Sequence, residues 1–317
     1  MTELVTVGWL TLDDIVLPNR TYEQNVVGGG ALYSAIGARL WNDSVGIHSA
    51  IGRAHADYIR AAIDEWEIDT SGISSIEGNG LQLWILHESE TGKQQVPKLS
   101  SSGALEMDNG REPLPDVYKR SARGFHIAPQ GSPSTRANIN KLSGLPSKPI
   151  ITLDVLSDSY VDPRLYQNLD FLAGVTAFLP SDVEINRLWA PENLEKWVVN
   201  QARQFGCHVA AKLGDQGSIV SEAGGSALYR VPIFPVSVVD TTGAGDAYCG
   251  GFLAGLVEGR TIPECSAMGT VSASYVVEAF GALATERPEQ RERDSRLDYV
   301  IARIERGSAQ ATFQGKE

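Results

Sequence analysis

Short apolar runs alternate along this chain with segments of helical composition, and that rhythm restricts the fold more than any other feature. Residues 4–10, 45–51, 124–128, 149–154, 177–180 and 208–213 are strand-length runs. Between them lie helical candidates at 31–40, 57–66, 135–142 and 193–205, and 247–257 and 262–280 read as the last strong apolar helices. Strands buried on both faces are continuously apolar, and a strand-helix-strand rhythm sets them parallel with helices packed over them. The expectation is an α/β fold: a mostly parallel sheet with helices on both faces. The segment Ile68-Asp69-Thr70-Ser71-Gly72-Ile73 reads as a turn-rich connector.

The rhythm breaks after Gly80. LQLWILHESETGKQQV is two β-rich arms around Ser89-Glu90-Thr91-Gly92, the composition of a hairpin and a candidate lid. No repeat or low-complexity linker interrupts the rest, so residues 1–307 read as one α/β domain and 308–317 as a frayed tail.

With 317 residues, 42% of them hydrophobic, the chain can bury a large core. Lys and Arg number 27 against 39 Asp and Glu, a net charge of −12 with no basic stripe, which excludes nucleic acid as the expected partner. No apolar run reaches the roughly 18 residues that span a bilayer, and MTELVTVGWLTLDD has neither a basic leader region nor a small-residue cleavage site. A cytoplasmic protein without a membrane partner is expected. Cys207, Cys249 and Cys265 are widely spaced and read as buried thiols.

Two common phosphate-binding motifs fail. Thr91-Gly92-Lys93 ends like a P-loop, but five residues before Gly92 stands His87, and no strand-to-helix junction lies there. Neither Gly28-Gly29-Gly30 nor Gly243-Ala244-Gly245 continues into a dinucleotide fingerprint. What remains is VVDTTGAGDAY, residues 238–248, read as a strand ending at Asp240, a tight turn at 243–245 and a helix starting near Asp246. Free N–H groups and the dipole at a helix N-terminus favour an anion, and glycine lets backbone approach it. Asp246 can also be read as that helix's cap, with no further role.

DTTGAGDAYCGGFLAGL resembles the C-terminal signature of the PfkB, or ribokinase-like, family of carbohydrate and nucleoside kinases. Gly8 and Asp13 in VGWLTLDD, Gly28-Gly29 opening a helix, LPSDVE, VAAKLGDQGS and the FGA at 280–282 follow in the family's order, so the resemblance runs from about residue 4 to 286. GGGALYSAIGARLW also resembles a divergent branch that includes fungal proteins. The resemblance implies a three-layer sandwich with a small lid, its strands around 12–27 and 76–99. It implies ATP-dependent phosphorylation of a hydroxyl, expected to be a hydroxymethyl, on a small sugar, with a nucleoside acceptor or a catalytically altered ligand-binding protein as alternatives.

Residue by residue, the resemblance makes Asp246 the general base and Gly243, Ala244 and Gly245 the anion hole. It gives Asp13, Gly28, Gly29 and Tyr33 to the acceptor, and Lys212, Gly214, Gly217 and Thr241 to ATP. Glu184 would organise Mg²⁺ through water, and Asp240 and Thr242 a monovalent cation, K⁺. Three departures stand out: Tyr33 and Ser181 each occupy a family asparagine position, and DVLSDSY at 154–160 keeps only Asp154 of an Asp-Pro-Asn stretch. Asp14 is the neighbouring alternative to Asp13. Trp9 and Trp84 border the acceptor site in relatives, or else pack as strand and hairpin core. A homodimer through the hairpin at 80–96 is expected.

Overall fold

A computed structural model describes residues 2–19, 21–87, 93–157 and 162–308. The chain opens with β1 (Leu4–Val7), β2 (Thr11–Val16), β3 (Tyr22–Gly28), α1 (Gly30–Arg39), β4 (Val45–Gly52), α2 (Ala56–Asp64) and β5 (Asp69–Ile76). It continues through β6 (Leu81–His87), β7 (Lys93–Pro97), α3 (Ala104–Asn109), α4 (Asp116–Ser121), β8 (Gly124–Ile127), α5 (Ser132–Ser143) and β9 (Ile150–Leu153). Then come β10 (Ala177–Phe178), α6 (Asp182–Leu188), α7 (Leu194–Phe205), β11 (His208–Lys212), β12 (Ser218–Ser221) and β13 (Ala227–Val231). The helices α8 (Ala244–Glu258), α9 (Ile262–Val276) and α10 (Gln290–Ile301) precede β14 (Glu305–Ser308).

The strands form two sheets among the described residues. The larger runs β14-β13-β12-β11-β10-β9-β8-β1-β4-β5, parallel from β11 to β5 and antiparallel at the other end. Alternation along each strand sorts side chains onto two faces. Leu4, Val45, Ile47, Ala210 and Val220 pack in one core with α1, α8 and α9, whereas Val5, Val7, Phe125, Ala211 and Ile219 pack in the other with α5, α6 and α7. The result is the expected three-layer fold. The smaller sheet, β3-β2-β6-β7, has its own cores around Ile15, Leu17 and Ile85 and around Ala50, Leu81 and Met107.

Two readings of the sequence are corrected. The polar 68–73 segment is not a connector, because Asp69–Ile76 forms β5, paired in parallel with β4 at the sheet edge where polar side chains keep water. The β-branched run before Asp240 is not a strand. Val239 and Asp240 donate N–H groups to the Val277 carbonyl alone, and Val238 and Val239 are 59% and 49% exposed. The hairpin arms are β6 and β7, antiparallel as expected, while the turn Ser89-Glu90-Thr91-Gly92 lies outside the described residues, as do residues 158–161 of the DVLSDSY stretch and the tail from 309. All three cysteines are free and buried, and no helix among the described residues is long and apolar enough to cross a membrane.

Candidate active site

The carboxyl ends of the parallel strands open on one side of the sheet, where α/β folds bind ligands. Gly8 follows β1, Ala128 follows β8, Asp154 follows β9, Ser181 follows β10, and Lys212 ends β11. Over this edge lie the start of α1 and the start of α8.

The turn into α8 is built by its own backbone. Asp240 Oδ1 accepts the Thr242 N–H at 2.8 Å, and Gly243 is the helix cap at φ 74°, a left-handed conformation that glycine takes without strain. The helix starts at Ala244, so Asp246 is its third residue rather than its cap, correcting both the start near Asp246 and the capping reading. Ala244 turns its N–H back to the Thr241 carbonyl at 3.3 Å, whereas the N–H groups of Gly243 and Gly245 have no backbone acceptor among the described residues. Those two N–H groups, with the positive end of a 15-residue helix behind them, are what an anion meets here. Tyr33 lies with its ring where a Gly243 side chain would be, so the asparagine position of relatives is filled by an aromatic that packs on the turn.

Asp246 sits against α1. A Cβ on Gly30 would stand 2.9 Å from Asp246 Oδ1 and 3.3 Å from Ala128 Cβ and Pro129 Cδ, so a side chain there would make the carboxylate shift. Asp13, on β2, accepts from Thr11 Oγ1 at 2.7 Å, and a side chain on Gly28 would collide with its Oδ2. Asp14 is occupied differently: Lys98 Nζ lies 2.8 Å from its Oδ2 and the Asn25 N–H 3.0 Å from its Oδ1, which ties it into the small sheet.

Beneath the turn lies a buried polar cluster. Lys212 Nζ pairs with Asp154 Oδ2, lies 3.7 Å from Cys249 Sγ, and would be 3.4 Å from a Cβ on Gly245. Ser181 bridges to Lys212 along the backbone and forms a capping box with Glu184, whose Oε2 accepts the Ser181 N–H at 2.5 Å. Serine at this asparagine position therefore caps α6 and orients Glu184. Gly214 and Gly217 shape the tight turn from β11 to β12, both at positive φ, and a side chain on Gly217 would strike the Val231 carbonyl. Thr241 is exposed. Trp9 donates from Nε1 to Asp108 at 2.7 Å and packs beside Met107 and Leu81. Trp84 is 37% exposed under Lys98, so it is not hairpin core.

A family model described as "pfkB family carbohydrate kinase" matches residues 150–289. The cytidine kinase of Thermococcus kodakarensis is 27% identical over 285 residues, which is 89% of this chain and 98% of the relative. The family match and this relative support a PfkB, ribokinase-like kinase. Its fold agrees with solved members: Methanocaldococcus jannaschii nucleoside kinase superposes with a TM-score of 0.73 at 19% identity, covering 94% of this chain and 99% of that one. Burkholderia thailandensis nucleoside kinase in complex with inosine gives 0.74 at 14% identity, covering 94% and 99%.

The electrostatics of this kinase follow from burial. Burial, then Asp240, Asp13 and Asp246, push the Tyr33 hydroxyl well above its ordinary range. Burial works against a charge on Lys212, but Asp154, Cys249 and Glu184 outweigh it and hold the ammonium protonated. Burial, reinforced by Asp154 and opposed by Lys212, raises the Glu184 carboxyl to about 7. Asp240 Oδ2 is buried with no hydrogen-bond partner among the described residues, the kind of oxygen a desolvated cation satisfies.

Two participants escaped the sequence reading. Gly30 was visible only as the third of three glycines, and nothing in the sequence tied it to residue 246. His87, at the end of β6, reaches Thr242 Oγ1 at 3.0 Å across 155 residues, a contact no spacing rule signals.

Proposed function

We propose that this kinase transfers the γ-phosphoryl group of ATP to a hydroxymethyl group of a small sugar or nucleoside. The observation that carries the reading is the seat of Asp246, a carboxylate beside Gly30 and within the same turn as the Gly243 and Gly245 N–H groups, which have no backbone acceptor among the described residues. Asp246 takes the proton of the attacking hydroxyl as its oxygen bonds to the γ-phosphorus. The bond from that phosphorus to the bridging oxygen breaks, and ADP leaves. Charge on the moving group is met by the Gly243 and Gly245 N–H groups and by the Lys212 ammonium beneath them.

Asp13, Gly28 and Gly29 are assigned to the acceptor hydroxyls, with Tyr33 bounding their end of the site. Lys212, Gly214, Gly217 and Thr241 are assigned to the nucleotide. Glu184, with Oε2 engaged by its own helix cap, is left with Oε1 for a water of Mg²⁺, which when bound neutralises the β- and γ-phosphate oxygens. Asp240 Oδ2 and the Thr242 carbonyl suit K⁺. The reading takes residues 1–307 as one domain, and a second copy pairs through the hairpin at 80–96. A concentration-independent monomer mass in light scattering would remove that dimer.

A nucleoside acceptor gains support from the cytidine kinase, similar over nearly its whole length. The deciding experiment offers sugars, polyols and nucleosides with MgATP and K⁺ and reads ADP release. Asp246→Asn should bind ATP as the parent does yet transfer nothing; parent-like turnover would sink the assignment of the base.

A further inference from the structure

The small sheet meets the anion-binding turn at His87. His87 is the last residue of β6, an inner strand of that sheet. Its Nε2 lies 3.0 Å from Thr242 Oγ1 and 3.6 Å from Asp240 Oδ1, and the His87 and Asp240 side chains are 5% and 1% exposed. Thr242 is thereby held twice. Its N–H is fixed by Asp240 from within the turn, and its hydroxyl is met by His87 from the lid. The next residue is Gly243, whose left-handed conformation aims the N–H groups of the hole.

We propose that His87 is a positioning residue for phosphoryl transfer: from the lid, it holds the Asp240–Thr242 turn in the shape that presents the Gly243 and Gly245 N–H groups to the transferred phosphate. The proposal rests on the kinase reading above. His87 touches neither reactant and moves no proton; it acts through Thr242. Seating the small sheet and shaping the hole then become one event. An acceptor that seats the sheet tightens the grip on the γ-phosphate, and ATP tightens the grip on the acceptor by the same factor. The hole recognises the γ-phosphate in particular, so its shape is read by the preference for ATP over ADP.

The test uses the full chain and compares the parent with His87→Ala, His87→Gln, Thr242→Val and the double variant His87→Ala/Thr242→Val. Dissociation constants for MgATP and MgADP are measured by calorimetry without an acceptor, and kcat and KM with cytidine are measured by ADP release. His87→Ala should reduce the ATP-to-ADP preference about tenfold and lower kcat by a similar factor, and the KM for cytidine at saturating MgATP should rise, because ATP no longer tightens the grip on the acceptor. Thr242→Val removes the same contact at almost constant volume and should reproduce the loss even if His87→Ala folds poorly. The double variant should lose no more than either single, and His87→Gln, which keeps an amide within reach of Thr242, should restore most of the preference. A parent-like ATP-to-ADP preference in both single variants overturns the proposal, as do losses that add in the double variant. Failure of the parent to phosphorylate cytidine or any panel compound counts against the kinase reading, and the nucleotide preference still decides the role of His87.

Discussion

Gly30 and Asp246 stand in contact so close that a side chain on one would shift the other: a Cβ on Gly30 would come within 2.9 Å of Asp246 Oδ1. Gly30 begins α1 with ordinary helical backbone, where alanine is a better helix former than glycine by about 1 kcal/mol. Gly30→Ala should therefore leave the melting temperature nearly unchanged while displacing the base. A misplacement of about 1 Å can cost on the order of 100-fold in rate, and the shift needed here is a fraction of that, so kcat should fall by less than that order with ATP affinity kept. Steady-state kinetics beside a thermal melt would check both halves.

The crossing of α1 and α8 offers a test of opposite sign. A Cβ on Gly250 would overlap the Ser34 carbonyl oxygen and lie 2.7 Å from the Ala38 nitrogen. Propensity alone favours Gly250→Ala, but overpacking of this kind costs about 1–3 kcal/mol, so packing wins. The variant should melt several degrees lower, and a melt at or above that of the parent would show that the helices can separate freely.

Lys212 and Asp154 form a buried ion pair. Lys212→Met leaves the Asp154 carboxylate buried without its cation, at a cost of about 3–5 kcal/mol, and removes a charge from beneath the phosphoryl group. Lys212→Met/Asp154→Leu should recover much of the stability, seen as the denaturation midpoint, yet none of the activity. Recovery of both would mean that the pair serves the fold alone.

Acid should loosen the protein through two histidines. His48 and His126 are buried, and burial lowers each to about 3, with Arg111 adding to the effect at His48 and Lys212 at His126. Above pH 6.5 both states are neutral and nothing is gained or lost. Below it the unfolded chain takes up protons that the folded chain refuses, so stability falls from pH 6.5 toward 3, by up to about 1.4 kcal/mol per pH unit for each histidine. Glu184, raised to about 7 chiefly by burial, runs the other way: its contribution declines as pH rises from 4.5 to 7. His126→Asn keeps a side-chain amide near Thr152 and should make the acid limb shallower by about one proton. Urea midpoints from pH 4 to 7, with an unchanged m-value, would measure it.

The parallel strands were legible because each is buried on both faces and therefore continuously apolar. The segments that escaped are the sheet's margins: β5 begins Asp-Thr-Ser-Gly, β12 and β13 are short runs that pair antiparallel with their chain neighbours, and the polar β14 pairs with β13 from beyond α8, α9 and α10. Val238 to Asp240 misled for the opposite reason, since its composition suits a strand but no strand among the described residues pairs with it. At the site, the glycines and acids of DTTGAGD announced an anion next to a carboxylate. Their distances to Gly30, Tyr33 and His87 depend on how three layers and a second sheet come together, which residue spacing does not encode.

Along the α1–α8 crossing, Gly37 meets the Ala247 carbonyl as Gly250 meets that of Ser34, and Ser272 of α9 closes on the Gly37 carbonyl at 2.8 Å. Asp246 and Gly30 are therefore cast in one block, and the small sheet joins it through the chain at Gly28 and through His87. Variation in that sheet can change what the enzyme accepts and, at the His87 position alone, how it reacts. A lid exchanged between relatives should carry acceptor preference with it, and should leave the chemistry of the block in place only where it brings a partner for Thr242.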